Sequence, residues 1–164
     1  MIQIVKDADT RPWFFLQTAH TTYGMRVMET GHLEHLYYGE RITVDSQDPA
    51  SCAPLVIQRA FAPGNTCTYD REHPQISMED VCLEVGTLGK GDIREPFLEV
   101  RFADGSVTSD FTFDSYKIIT LKEREQCLQD SGLPHSYSEV ETDSAECLQI
   151  VLQDVTNHLE LQLF

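Results

Sequence analysis

The run FLEVRFADGSVTSDFTFDSYKIIT, residues 97–120, is the stretch on which the fold class turns. Leu98, Val100 and Phe102 alternate with Glu99 and Arg101, the period-two pattern of a strand with one buried and one wet face. Asp104-Gly105 follows, a turn pair whose glycine accepts a positive φ at little cost. A second β-rich run, TSDFTFDSYKIIT (108–120), then begins close enough to pair with the first as an antiparallel hairpin. Pro96 suits the start of a strand, where its missing N–H costs no ladder bond.

The same grammar recurs along the chain. WFFLQTA (13–19), TYGMRVME (22–29), LEHLYYG (33–39), CLQIVLQD (147–154) and HLELQLF (158–164) read as strands. Glu29-Thr30-Gly31 and Asp154-Val155-Thr156-Asn157 supply the turns between neighbours. Helical periodicity is nearly absent, so the expected class is all-β, an antiparallel β-sandwich. Residues 45–92 differ, with Pro49, Pro54, Pro63 and Pro74 and few alternations, and read as a long irregular excursion from the sheet. A short helical turn is expected near Ile76 to Val85, where Ser77 precedes Glu79 and Asp80. HLELQLF alternates without a fault up to Phe164, and edges of this kind are usually covered. The expectation is that the chain is a piece of something longer.

The totals bound the function. A chain of 164 residues suits one domain. Its net charge of -15 repels phosphate backbones and anionic bilayers, which argues against nucleic acid and membrane partners and for a neutral or cationic ligand. With 41% hydrophobic residues, eight Phe and six Tyr, the chain can bury enough surface to fold despite that charge. The first residues lack a signal-peptide core and no apolar run is long enough to span a bilayer, so a cytoplasmic location is expected. Five cysteines without a C-x-x-C pair read as free thiols, mostly small buried apolar residues.

Motifs for chemistry are sparse. His32 and His35 flank Glu34, but on a strand they point to opposite faces and make a poor metal site. No G-x-S-x-G elbow occurs, and His73 and His135 carry no local signature. Trp13-Phe14-Phe15 reads as core rather than a sugar platform. Gly86, Gly89 and Gly91 match neither nucleotide fingerprint, and Asp92 would repel phosphate. Asp92, Arg94 and Glu95 read as the place where the excursion rejoins the sheet rather than as a catalytic trio. No cofactor and no metal are expected.

Five stretches taken in order carry a resemblance: HLEHLYYGERI (32–42), PLVIQRAFAP (54–63), GKGDIREPFLEVRFADGSVTSDFTFDSYKI (89–118), GLPHSYSE (132–139) and AECLQIVLQD (145–154). Together they resemble the N-terminal domain of glycoside hydrolase family 36 α-galactosidases over nearly the whole chain. The resemblance implies that residues 1–164 are the first part of a β-supersandwich, truncated before a (β/α)8 barrel that would carry the two catalytic aspartates of a retaining mechanism. It therefore implies no catalytic residue in this chain. It also implies a domain that builds a homotetramer and shapes a neighbouring subunit's site for galactosides such as melibiose or raffinose. In the family an acidic residue directly before an Arg-Ala-Phe segment reaches the galactose. Here Gln58 holds that position, before Arg59-Ala60-Phe61, which makes Gln58 and Arg59 the expected substrate-binding residues. An amide differs from a carboxylate in that it also donates hydrogen bonds and is uncharged. The alternative is a stand-alone carbohydrate-binding or protein-interaction β-sandwich.

Overall fold

A computed structural model describes residues 1–46, 48–57, 67–130 and 146–164. The chain begins as a meander in which β1 (Ile2–Lys6), β2 (Pro12–Gln17), β3 (Thr21–Val27) and β4 (Leu33–Glu40) pair antiparallel in sequence order. A second antiparallel sheet is formed by β5 (Thr112–Thr120), β6 (Glu146–Asp154) and β7 (Leu159–Leu163), with helix α1 (Leu121–Asp130) following β5. The all-β antiparallel class is thus what the chain adopts. No helix among the described residues is long and apolar enough to cross a membrane.

The packing follows from β2, whose PWFFLQ sequence is buried on both faces. Successive strand residues point to opposite sides. Phe14 therefore enters the core between the sheets, with Met25, Val27 and Leu33 on its own sheet and Leu148, Ile150 and Leu152 opposite. Its ring meets Tyr116 edge-on at 5.2 Å. Trp13 and Phe15 face the other way, against Val5, Leu36 and Cys52, where Val44 and, from the excursion, Leu55 and Val56 roof them. A continuous apolar run marks a strand covered on both sides. The core reading of the three aromatics holds, with Trp13 6% and both phenylalanines 0% exposed.

The turns are built from local chemistry. Gly31 takes φ 84° and its N–H donates to the Met28 carbonyl, while the Met28 N–H donates to the His32 carbonyl at 2.8 Å, closing β3 onto β4. A side chain at residue 31 would meet that left-handed φ at a steric cost. Between β6 and β7 the Asp154 carboxylate accepts from the Asn157 backbone N–H at 3.0 Å. The outer edge of β4 is blunted by a short bridge in which the His35 N–H donates to Cys82 and the Glu84 N–H to Leu33. Unpaired edges invite foreign strands, and this bridge closes part of one.

Three expectations change. FLEVRFA is not a strand: the Phe97 and Leu98 N–H groups both reach the Gly86 carbonyl, and Phe102 closes a tight turn onto Ser106 around Asp104-Gly105. Leu98 and Val100 still pack against the core, so the alternation correctly marked the wet face while no neighbour supplied a ladder. The irregular segment consequently runs past residue 92 to Phe111 rather than rejoining the sheet at Asp92. Within it lie 3-10 turns at Pro49–Leu55 and Met78–Asp80, the second where a helical turn was expected. Of the five free cysteines only Cys52 is buried, and Cys67 and Cys82 are exposed.

Candidate functional site

Gln58 and Arg59 lie outside the described residues, as do His135 and the Gly-Leu-Pro stretch. Ile57, which immediately precedes Gln58 in sequence, lines a cleft of about 340 Å³ on the outer side of the first sheet. β3 and β4 supply its polar wall. The Arg26 guanidinium donates to Glu34 at 2.6 Å and lies over the Trp13 ring, 5.2 Å from its centroid. Glu34 is buried, and a buried carboxylate requires such a partner. Opposite, the Gln75 amide donates to Glu29 at 3.0 Å, and Asp80 borders the same space. Ser77, 2% exposed, is among the lining residues, and its hydroxyl has no hydrogen-bond partner among the described residues.

The turn carrying Ser77 and Asp80 is held by the Asp-Ile-Arg-Glu stretch. Arg94 Nε and Nη2 donate to the Asp92 carboxylate at 2.8 and 2.7 Å, and Nη2 also reaches the carbonyls of Met78 and Val81. The hydrogen bonds from Arg94 hold the Asp92 carboxyl below its ordinary pKa despite burial. With its guanidinium committed to a carboxylate and two carbonyls, Arg94 is a clasp; Glu95 is exposed beside it. The sequence reading of these residues as architecture is therefore supported in kind, although the segment they fasten is the 3-10 turn rather than a strand.

The two candidate metal histidines go separate ways. His32 is buried, with Nδ1 2.9 Å from Thr30 Oγ1 and Nε2 2.9 Å from Asp110 Oδ1. Since a carboxylate only accepts, Nε2 carries the proton. His35 Nδ1 lies 2.9 Å from Glu84, which also accepts the Tyr23 hydroxyl at 2.5 Å. Burial first, and then the bond to Glu84, push the Tyr23 phenol well above its usual range. The glycine-rich VGTLGKGD segment is a turn, with Gly89 at φ 99°, and it directs Lys90 onto Asp110 at 3.2 Å.

Asp110 and Asp154 form hubs that sequence spacing does not reveal. Asp110 accepts from His32, Tyr69 and Lys90, and its own N–H donates to Asp154. Burial raises the Asp110 pKa, but bonds from His32 and Tyr69 and the Lys90 charge outweigh it, leaving the carboxyl below its usual value. For Asp154 burial likewise opposes and the Asn157 bonds prevail. A carboxyl whose folded pKa lies below its unfolded one contributes stability above the unfolded value, and that contribution is lost as pH falls through the folded value. Urea midpoints should thus drop as pH is lowered from neutrality to below about pH 4, where unfolded aspartate titrates. Asp110→Asn should flatten that drop; an unchanged acid profile would count against the hub.

Comparison with known proteins places this geometry in a family. The description matched is the glycosyl hydrolase family 36 N-terminal domain, over residues 31–164. The bifunctional α-galactosidase/sucrose kinase AgaSK of Mediterraneibacter gnavus is 34% identical over 151 residues, covering 92% of this chain and 15% of that protein. The α-galactosidase AgaA of Geobacillus stearothermophilus is 32% identical over 150 residues, covering 92% of this chain and 19% of its own length. An AgaA variant crystallised in complex with raffinose superposes with a TM-score of 0.70 at 25% identity, covering 92% of this chain and 19% of that one. The crystal structure of the α-galactosidase from Lactobacillus brevis reaches a TM-score of 0.73 at 29% identity, covering 97% of this chain and 20% of that one. The chain thus spans less than a quarter of the length of each of these relatives. With the fold, the profile match and the identities in agreement, the chain belongs to the glycosyl hydrolase family 36 N-terminal domain family.

Proposed function

We propose that residues 1–164 are the non-catalytic N-terminal supersandwich segment of a cytoplasmic, retaining α-galactosidase acting on terminal α-galactosides such as melibiose and raffinose. The observation that carries this is the family match over 31–164 in a chain that spans only 15% and 19% of the two curated relatives. The remainder of such a protein is where the resemblance puts the barrel and its aspartates. The raffinose in the AgaA complex supports the substrate class. A surplus of carboxylates suits a neutral sugar over an anionic one.

In this reading the segment serves assembly of a homotetramer and shapes a neighbouring subunit's site through Gln58 and Arg59. The cleft lined by Ile57 has polar side chains beside the residue that precedes that segment in the sequence. Incubated with an aryl α-galactoside, the purified chain should release no galactose, whereas measurable release would show that catalysis resides here. Light scattering on the same sample should give the mass of four chains. A monomer at every attainable concentration would remove the assembly role.

A further inference from the structure

Strand β7 (Leu159–Leu163) is one margin of the second sheet: β6 pairs with one of its edges, and none of the described residues pairs with the other. The other margins are managed. The outer edge of β4 carries the bridge from Glu34 to Leu83, the Phe113 N–H of β5 donates to Gly31 of the first sheet's turn, and β1 ends on the charge of Lys6. Within β7 there is no proline, lysine or glycine, the residues that commonly blunt an edge against foreign strands. Its inner face is incomplete as well. Leu159, Leu161 and Leu163 pack against the core yet stay half-buried, whereas Leu148, Ile150 and Leu152 of neighbouring β6 are at most 6% exposed. Leu163 and Phe164 also line an apolar cavity of about 280 Å³ between the sheets, together with Tyr23 and Phe97.

The run LELQL is complementary to itself. Laid antiparallel to a second copy and centred on Leu161, it sets Leu159 opposite Leu163 of the other copy and Glu160 opposite its Gln162, with the two Leu161 side chains meeting on a two-fold axis. A carboxylate accepts and an amide donates, and the chain already makes this pairing internally, where Gln162 Nε2 donates to Glu160 at 2.7 Å. Other registers are worse. A slip of one residue puts the leucines of one copy on the polar face of the other. A slip of two either opposes the two Glu160 carboxylates or sets Glu160 against Phe164.

We propose that the outer edge of β7 is an interface to a second copy of this chain, pairing antiparallel about Leu161 so that one sheet runs through both copies. The leucines of each copy extend the inner face of the other. A net charge of -15 on each copy opposes their approach, so the pairing strengthens as salt screens it. The interface deepens the assembly reading above by naming one of its contacts.

Sedimentation equilibrium of the 164-residue chain at rising salt measures the association, and isotope-filtered NOEs in an equal mixture of labelled and unlabelled chain locate it. A dimer that tightens with salt is expected, with intermolecular NOEs between Leu159 and Leu163. Gln162→Glu places a second carboxylate opposite Glu160, twice across the axis, and should weaken Kd about tenfold; Gln162→Lys should tighten it about threefold. Gln129→Glu makes the same change of net charge on an exposed position of α1 and should alter Kd by less than about twofold. Association without β7 NOEs, or equal weakening by the two glutamate variants, overturns this interface and leaves the assembly reading standing. A dimer through β7 that never reaches the mass of four chains does the reverse. NOEs from the β7 edge to another segment of its own chain would overturn the proposal and assign the edge to that segment, and a monomer at every concentration and salt would remove both.

Discussion

Phe14→Ala is expected to lower unfolding free energy by about 4 kcal/mol, the common cost of truncating a fully buried phenylalanine. The size follows from position. Phe14 is 0% exposed and lies between the two sheets, touching Tyr116 and Phe113 of β5. Deleting the ring leaves a void that neither sheet can close without breaking its own ladder. Domains of this size are stable by only about 5–15 kcal/mol, so the variant should unfold at a much lower urea concentration. A loss below about 1 kcal/mol would mean that the sheets repack freely and that the core is not where we place it.

Asp154→Ala should be nearly as damaging, at about 3 kcal/mol, by a different mechanism: donors left without an acceptor. Asp154 is 1% exposed and accepts from the Asp110 N–H at 3.0 Å and from the Asn157 side-chain amide at 2.6 Å, besides the Asn157 N–H. Asp154→Asn keeps one acceptor oxygen but presents an N–H₂ to groups that themselves donate, so it should fall between wild type and alanine. Thermal melts of the three proteins decide the order. If asparagine proved as stable as aspartate, the charge would be dispensable and only the shape of the turn would count.

The sequence signals succeeded where a strand and its partner were neighbours. β2, β3 and β4 were legible because their runs adjoin and Gly31 marks the turn. FLEVRFA failed because alternation reports which side meets water and says nothing about whether a second backbone lies alongside. β1 is only five residues long, too short a run for its alternation to stand out. α1 escaped because it buries no residue and so has no apolar stripe to read. A signal for it did exist: Thr120 and Glu123 exchange hydrogen bonds as a capping box, spelled Thr-Leu-Lys-Glu. The cleft was less legible still. Arg26, Glu34, Gln75 and Asp80 come from strands and loops far apart in the chain, and no local motif joins Arg26 to Asp80. His32 precedes β4 and only His35 lies within it, so strand alternation does not relate the two, and their partners, Asp110 and Glu84, are long-range neighbours.

The meander of β1 to β4 also governs the order of events during synthesis. Its three hairpins need only contacts within the first 40 residues, so they can zip early and quickly as the nascent chain emerges. The strands that cover its Phe14 face begin only at Thr112, and the leucines and isoleucine opposite Phe14 belong to β6, which ends at Asp154. Until that point a preformed apolar sheet stands open to other chains. Between the translation of Glu40 and that of Asp154 the Phe14 face of this sheet therefore lacks its cover, and exposed apolar surface of that kind is prone to aggregate.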